Sequence, residues 1–207
     1  MNRLLPLAED DSRLRQYCTL VTRRELRLKT QQAEIDALLE YVHGTGNKTV
    51  AGVPQDPKQK SVVGLSANQV GLMKQICVVD LSIGRRGYYD LHILINPRII
   101  WRSKSVVQKN EGCVNFPTIR GKTRRSATVK VEALDRSGNE IKLKVTGWAA
   151  VLLQHEVDHL NGRLFIDRLI DPVRADLVGP GKVEIYRKQK SAWPVKIDVT
   201  DRVVVLE

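Results

Sequence analysis

Long apolar runs are missing from this sequence. Nowhere do about 18 apolar residues follow one another, so no membrane-spanning helix is expected. Residues 1–11 hold only a short apolar stretch followed by acidic side chains, which predicts no secretory signal. The three cysteines, Cys18, Cys77 and Cys113, are too few and too scattered for a disulfide framework, which favours a reducing compartment. We therefore predict a cytoplasmic protein with no membrane partner.

Aromatic residues are scarce, at 5% of the chain, and acidic residues are outnumbered by basic ones, 23 to 34. The net charge of +11 raises the rate of encounter with polyanions, so basic patches allow contact with the ribosome surface. Few aromatic side chains are available to stack on bases, and no nucleic-acid-binding signature is visible in the sequence. Because the basic residues are spread along the chain, solvated basic faces are the simpler interpretation.

The rest of the composition is that of a globular protein with a core. Hydrophobic residues make up 42% and charged residues 28% of the 207 residues, which excludes disorder over the whole length. We predict a single domain over residues 1–207. Residues 44–60 lack a periodic pattern and predict a loop insertion. Residues 173–207 are expected to form a C-terminal arm, in which 195–206 alternates as a terminal strand does.

Two helical segments bracket a run of short strands. Residues 10–43 are predicted to be helical, with Thr30 as an N-cap. A second helix is expected over 148–160. The predicted strands are 76–79, 91–95, 106–107, 128–133 and 141–145, and a hairpin turn at 137–139 joins the last two. This order predicts an α+β fold, with antiparallel sheets around a central helix and with N-terminal helices.

The strongest chemical signal is His155-Glu156-Val157-Asp158-His159. On a helix, the two histidines stand at positions i and i+4, so both imidazoles project from one face toward one point. A divalent metal can accept a nitrogen from each. Glu156 is close enough to act on a water molecule there without being a ligand. Since an apolar run leads directly into the motif, a solvated pair of surface histidines is the weaker interpretation.

A catalytic metal site normally needs a third protein ligand, and the chain offers two candidates. Glu184 lies downstream, in a basic and loop-like stretch. Cys113 lies upstream, directly after Glu111 and Gly112 at a break between predicted strands. Cys113 is the better candidate, and the other two cysteines are interpreted as small buried hydrophobic residues.

A third segment, Gly64-Leu65-Ser66-Ala67-Asn68-Gln69, is a weak signal alone, because small residues around a glutamine often mean only a tight turn. Together with 111–115 and 155–159, however, it resembles the three ordered motifs of the peptide deformylase family. Those motifs are Gly-Leu-Ala-Ala-x-Gln, Glu-Gly-Cys-Leu-Ser and His-Glu-x-x-His. The resemblance extends over about residues 10–172, and three ordered motifs make it specific.

The resemblance implies a metal and a reaction. Cys113, His155 and His159 would bind one divalent metal, Fe(II) most commonly, with Zn, Ni or Co as alternatives. The chain would hydrolyse the N-formyl group from N-formylmethionyl peptides of nascent proteins and release formate. A formamide is a stable bond, so a metal is needed to generate a nucleophile at neutral pH.

The resemblance also assigns roles around the metal. Glu156 would be the general acid and base. The side-chain amide of Gln69 and the backbone N–H of Val114 would stabilise the oxyanion. Gly64 and Val62 would lie along the bound peptide, and Val62 stands where many members carry glycine.

Helix geometry suggests where the methionine side chain of the substrate would bind. Val151 and Leu152 lie one turn before His155 and are candidates for the floor of an apolar pocket, which Trp148 would close. Ordinary core packing explains these three residues equally well.

The chain departs from the family pattern at four motif positions. Ser66 replaces alanine, Asn68 replaces proline or threonine, Val114 replaces leucine and Asn115 replaces serine. No metal ligand or proton carrier is lost, so the chemistry is expected to be retained.

Other interpretations remain open. Arg120 and Arg125 can form buried ion pairs with Glu111 or Asp158, but a solvated or RNA-facing position is preferred for both. At the level of function, one alternative is a zinc endopeptidase with Glu184 as its third ligand. The other is a basic RNA- or ribosome-binding protein whose metal site is only structural.

Overall fold

Two antiparallel sheets and one buried helix make up most of the described structure. The computed structural model describes residues 4–43, 62–82, 90–170 and 176–177. The helices are α1 (Arg23–Leu26), α2 (Lys29–His43) and α3 (Gly147–Leu160). The strands are β1 (Gly64–Ser66), β2 (Ile76–Asp80), β3 (Leu91–Arg102), β4 (Val106–Cys113), β5 (Phe116–Ser126), β6 (Thr128–Leu134), β7 (Glu140–Thr146) and β8 (Asp176–Leu177). The predicted α+β class is confirmed.

The larger sheet has the order β1-β2-β3-β6-β7, and neighbouring strands are antiparallel. Its last two strands confirm the predicted hairpin. The Asp135 carboxylate accepts hydrogen bonds from the backbone N–H groups of Ser137 and Asn139. Gly138 has a φ of +86°, a left-handed conformation that favours glycine. Local turn chemistry therefore closes this hairpin.

Helix α3 is the hydrophobic centre of the molecule, and its prediction over 148–160 is confirmed to within one residue. Every residue from Ala150 to Leu160 is buried. Its apolar side chains pack against the larger sheet, and this cluster includes Val79, Leu94, Val129, Val131, Leu153, Val157 and Leu160. Just beyond the helix, Gly162 has a φ of +65°, and a Cβ there would collide with the backbone of Arg15. The chain turns away at the point where only glycine fits.

The smaller sheet has the order β4-β5-β8, and its longest strand, β5, is not predicted from the sequence. Buried residues alternate along β5 with exposed ones, as in any half-buried strand. After Ile119, however, the inward positions are Gly121, Thr123 and Arg125. Because these residues are polar or lack a side chain, no apolar alternation marks the strand. Strand β4 is likewise longer than its predicted segment 106–107.

The prediction of one continuous helix over 10–43 is wrong in its first half. A single 3₁₀ turn at Ser12–Arg15 comes first, and α1 and α2 follow as separate helices. Thr30 lies inside α2 and is not its N-cap. The N-cap with a capping box is Thr22, whose side chain and that of Glu25 exchange hydrogen bonds with each other's backbone N–H groups.

Tertiary hydrogen bonds explain the break before α1. The backbone N–H of Cys18 donates to the carbonyl of Leu160, at the end of α3. The backbone N–H of Thr19 donates to the carbonyl of Met73, just before β2. Because these N–H groups are bonded to other segments, the chain is extended here and starts a new helix afterwards.

Some predictions fall outside the described residues: the loop at 44–60, the terminal strand at 195–206 and the candidate ligand Glu184. Of the predicted arm at 173–207, the described part is β8, which pairs with β5. The single domain over 1–207 stays a prediction. Within the ranges that the structure describes, no helix is both long and apolar enough to span a membrane.

Candidate metal centre

Two elements bring three metal-binding side chains together. Cys113 is the last residue of β4, and His155 and His159 lie one turn apart on α3. The Sγ atom of Cys113 lies 3.3 Å from His159 Nε2, which lies 3.2 Å from His155 Nε2. All three donor atoms are within 4.8 Å of one another. Both histidines are buried and Cys113 is partly buried, so water has limited access to the donors.

The donor atoms suit one divalent cation. Metal–ligand bonds of about 2.0–2.3 Å separate the donors of a tetrahedral site by roughly 3.3–3.6 Å. His159 Nε2 lies 3.3 and 3.2 Å from the other two donor atoms, close to that spacing. The Nδ1 atom of His155 lies 2.7 Å from a carboxylate oxygen of Glu111, so Nδ1 carries the hydrogen and the Nε2 lone pair faces the other donors. One thiolate and two imidazoles are a donor set that holds zinc or iron.

The pKa values of the two imidazoles diverge. Burial lowers the pKa of His159 well below its usual value, and the nearby charge of His155 lowers it further. Burial also opposes a charge on His155, but hydrogen bonds with Cys113 and Glu111 raise its pKa well above its usual value. The raised pKa of His155 means that a metal competes with a proton for its Nε2 atom.

A buried ion network behind the histidines joins the smaller sheet to α3. Arg125, on β5, donates to the two carboxylate oxygens of Glu111 at 2.7 and 2.8 Å, and it also donates to Asp158. Arg168 donates to Asp158 at 2.5 and 2.7 Å. The expectation that Arg125 faces solvent or RNA is therefore wrong, since its side chain is 1% exposed.

Two carboxylates make the burial of this arginine possible. Burial alone would raise the pKa of Glu111, but hydrogen bonds from Arg125 and His155 lower it to about 2. The hydroxyl of Thr123 also donates to Glu111. Glu111 thus stays ionised and holds the imidazole of His155 in one orientation. Arg120, on the opposite face of β5, is exposed as predicted.

Glu156 follows His155 on α3, interacts electrostatically with that imidazole, and is 2% exposed. Its Oε2 atom lies 2.8 Å from the hydroxyl of Ser66. A Cβ built on Gly64 would lie 2.6 Å from its Oε1 atom, closer than real Cβ contacts allow. Burial raises the pKa of Glu156 above its usual value, which favours the protonated form of the carboxyl. The missing side chain at Gly64 leaves the space that this carboxyl occupies.

Backbone groups and Asn115 orient the side-chain amide of Gln69. The backbone N–H of Ser66 donates to Gln69 Oε1 at 2.7 Å. Gln69 Nε2 therefore faces Asn115 Oδ1 at 3.0 Å and Cys113 Sγ at 3.2 Å. Asn115 is itself oriented, since its Nδ2 donates to the carbonyls of Leu7 and Gln69, both at 2.9 Å. The amide N–H groups of Gln69 are thus directed toward Asn115 and Cys113.

The other predicted site residues surround this centre or its supporting core. Val114 lies in the turn between β4 and β5 and is partly buried, as is Val62 just before β1. Val151 and Leu152 are buried in α3. Leu152 packs in the core cluster of the larger sheet and also reaches the space beside Gly64. The position of Leu152 is therefore compatible with both sequence-based interpretations, the floor of a methionine pocket and ordinary core packing.

Three residues shape the site in ways that were not predicted: Ser66, Asn115 and Arg125. Ser66 and Asn115 are polar residues in short motifs of small side chains. A buried polar side chain needs a partner, so their departure from the family pattern was a usable signal. For Arg125, the sequence allowed a buried ion pair with Glu111 or Asp158 but did not favour it, because these partners are 14 and 33 positions away along the chain.

A thiol and two imidazoles around one point, beside a buried carboxyl group on an α+β scaffold, are typical of a mononuclear metal-dependent hydrolase. The family model described as Polypeptide deformylase matches residues 6–175 of this sequence. The chain belongs to the peptide deformylase family.

Known relatives agree in sequence and in fold. The peptide deformylase of Thermodesulfovibrio yellowstonii is 36% identical over 151 residues, which cover 73% of this chain and 85% of that protein. Peptide deformylase 1 of Vibrio vulnificus is 36% identical over 163 residues, covering 79% and 84%. The crystal structure of the peptide deformylase of Thermotoga maritima superposes with a TM-score of 0.68 at 27% identity. The match covers 83% of this chain and 100% of that chain.

Membership in the family establishes the activity. The chain is a metal-dependent hydrolase that removes the N-formyl group from the formylmethionyl peptides of nascent proteins. The predicted function is confirmed, and it is favoured over the zinc endopeptidase and the RNA-binding protein.

Proposed function

We propose that Cys113, His155 and His159 bind one divalent metal per chain and that the native metal is Fe(II), with Zn, Ni or Co as substitutes. The observation that carries this assignment is the convergence of the three donor atoms within 4.8 Å. The set of one thiolate and two imidazoles suits iron and zinc about equally. The choice of Fe(II) follows the common use of iron in the family.

Glu156 is the proton carrier of the reaction. A divalent metal held by the three donors supplies the Lewis acidity that makes water reactive toward the formamide carbonyl at neutral pH. Glu156 accepts a proton from the attacking water and delivers it to the leaving nitrogen, so that formate and a free amino terminus are the products. Its burial, and the space that Gly64 leaves for its carboxyl group, support this role.

Gln69 and Val114 stabilise the negative charge that forms on the formyl oxygen. The amide of Gln69 donates hydrogen bonds without titrating, and its Nε2 lies 3.2 Å from Cys113 Sγ. A donor fixed next to the metal ligands is oriented before the charge develops. Val114 follows Cys113 directly, so its backbone N–H belongs to the same turn.

The peptide part of the substrate binds along β1. In the described part of the larger sheet, β1 is an edge strand, so the backbone around Val62 and Gly64 is available to pair with an extended peptide. Val151 and Leu152, one turn before His155, form the floor of the methionine pocket. Leu152 lies next to Gly64, which places this side chain beside the strand that would hold the peptide.

The enzyme works in the cytoplasm and meets the ribosome through its basic surface. Arg120, Lys122 and Arg124 are exposed on one face of β5. With a net charge of +11, such a face attracts the phosphates of ribosomal RNA. We expect binding to ribosomes that weakens steeply as salt is raised, and binding that does not depend on salt would contradict this contact.

The proposed catalytic site is tested by metal analysis together with formate release. The parent protein and Glu156→Ala are purified without oxygen, and metal per chain and formate from a formyl-methionyl peptide are measured. We expect about one metal per chain in both proteins and a rate at least about 100-fold lower in the variant. Near-equal rates at equal metal content would contradict the role of Glu156.

A further inference from the structure

Ser66 is a fully buried hydroxyl residue, at 0% exposure, and both of its hydroxyl contacts belong to one other residue. Its Oγ atom lies 2.8 Å from Glu156 Oε2 and 2.8 Å from the backbone carbonyl oxygen of Glu156. We propose that Ser66 is a positioning residue that holds the carboxyl group of Glu156 in one orientation. This inference rests on the proposed function, in which Glu156 carries the proton.

The carboxyl group of Glu156 needs such a partner. Rotation about the last bond of a glutamate side chain has a broad energy profile, so packing and hydrogen bonds must select the orientation. Oε1 lies in the space that the missing side chain of Gly64 leaves. Oε2 is limited by the hydroxyl of Ser66. The hydrogen bond between Oε2 and Ser66 is therefore the contact that selects the orientation of the carboxyl plane.

Ser66 is well placed to impose an orientation because its own position is fixed. It is the last residue of β1 and pairs with Cys77 of β2. Its backbone N–H donates to Gln69 Oε1 at 2.7 Å, while its hydroxyl contacts Glu156. One residue of a paired strand thus contacts both the proposed proton carrier and the proposed oxyanion donor, and it sets their relative position.

The variant Ser66→Ala tests the inference. It removes only the hydroxyl, adds no bulk, and introduces the alanine that the family motif carries at this position. The matched control is Ser82→Ala, which removes a buried hydroxyl that donates to the carboxylate of Asp80 at 2.6 Å. Metal content, kcat and KM for formate release are measured, and crystal structures of metal-free parent and Ser66→Ala protein are compared.

We expect kcat per bound metal to fall about tenfold in Ser66→Ala, with KM and metal content within about twofold of the parent. The crystal structure of the variant should show the Glu156 carboxyl rotated or divided between two orientations. In Ser82→Ala, kcat should stay within about twofold of the parent. If Ser66→Ala only made the protein less stable, kcat per bound metal would not fall while KM stayed the same.

Other results overturn the inference. An unchanged kcat, a change in KM alone, a loss of metal with normal kcat per metal, or an unmoved carboxyl group in the variant would each show that Ser66 does not position Glu156. These outcomes differ from failure of the proposed function. In that case Glu156→Ala would release formate as fast as the parent, whatever Ser66→Ala does.

Discussion

The absence of a side chain at Gly64 decides where the Glu156 carboxylate can lie. A Cβ there would be 2.6 Å from Glu156 Oε1 and 2.8 Å from Leu152 Cδ1, and real Cβ contacts are essentially never shorter than 3.0 Å. We expect Gly64→Ala to lower the free energy of unfolding by about 1–3 kcal/mol, since a buried neighbour must move. Formate release should fall at least about tenfold. Urea unfolding and the formate assay measure the two effects.

Gly112 provides the matched control for Gly64. It is exposed, and the nearest atom to a Cβ there is Arg120 Cγ at 3.4 Å, an ordinary contact. Gly112→Ala should change the free energy of unfolding by less than about 0.5 kcal/mol. Similar losses in the two alanine variants would show that crowding at Gly64 is not the cause.

Cys18 makes stability depend on pH in the alkaline range. Burial raises the pKa of its thiol to about 12, from a usual value of 9.0. The unfolded chain therefore ionises first, so the stabilising effect is complete below pH 9 and is lost as pH rises toward 12. From pH 8 to pH 10, the parent should lose about 1.4 kcal/mol more of its unfolding free energy than Cys18→Ala. Equal losses in both proteins, measured by urea unfolding, would contradict this.

At the scale of elements, β5 is held to α3 by a buried charge. Arg125 lies between the carboxylates of Glu111 and Asp158, and Arg125→Met would leave both without their shared partner. We expect a loss of about 3–5 kcal/mol of unfolding free energy and weaker metal binding. Arg124→Met is the control, because Arg124 is exposed on the same strand and should cost less than about 0.5 kcal/mol. Chemical unfolding and metal titration compare the two, and equal losses would exclude the network as the cause.

The elements that follow simple patterns are predicted well, and those that depend on distant partners are not. Helix α3 and the β6–β7 hairpin carry their own signals, an apolar run and a turn around Gly138. Strand β5 does not, because Arg125 stands where a strand pattern would show an apolar residue. A buried Arg125 is stable only because the carboxylates of Glu111 and Asp158 lie next to it. The residues near Arg125 in the sequence therefore do not predict that it is buried.

Contacts with distant segments also explain why the chain is not helical before α1. Leu14, Cys18 and Val21 recur at a spacing that suits a helix, and all three are buried. The backbone at Cys18, however, bonds to the end of α3 instead of to its own helix. Tertiary contacts thus override a local preference that is only weak.

At the scale of the whole molecule, the proposed metal links β4 to α3. Removing it with a chelator should lower the melting temperature by about 10 °C, because saturating ligand at about 1,000 times its Kd contributes about 4 kcal/mol. Adding Co(II) or Zn(II) back should restore the original value. Calorimetry of the metal-free and reloaded protein measures the shift.

Two cysteine variants show whether that shift belongs to the proposed site. Cys113→Ser should give the same melting temperature with and without metal. Cys18→Ala should keep the full response, since Cys18 is buried in the core next to Leu160 and is not a proposed ligand. A metal response in Cys113→Ser equal to that of the parent would exclude Cys113 as a ligand.

As with the fold, some parts of the candidate site are predicted by local sequence patterns, and others depend on contacts between distant residues. The two histidines and Glu156 are predicted by spacing on one helix, since position along a helix determines which side chains share a face. Cys113 is chosen from its place after Glu111 and Gly112 at a break between predicted strands, and the resemblance of three ordered motifs supports that choice. The contact between Ser66 and Glu156 spans 90 positions in the chain, and no spacing rule relates residues so far apart.

The amino-acid sequence alone determined the α+β class, the central helix with its histidine pair, and the family with its activity. These depend on short-range periodicity and on ordered motifs, which the order of residues preserves. Only the tertiary structure decided that Arg125 is buried, that Ser66 touches Glu156 and that Asn115 orients Gln69. Those facts depend on which distant groups meet in a close-packed interior, where each buried charge or hydrogen-bonding group must find its partner.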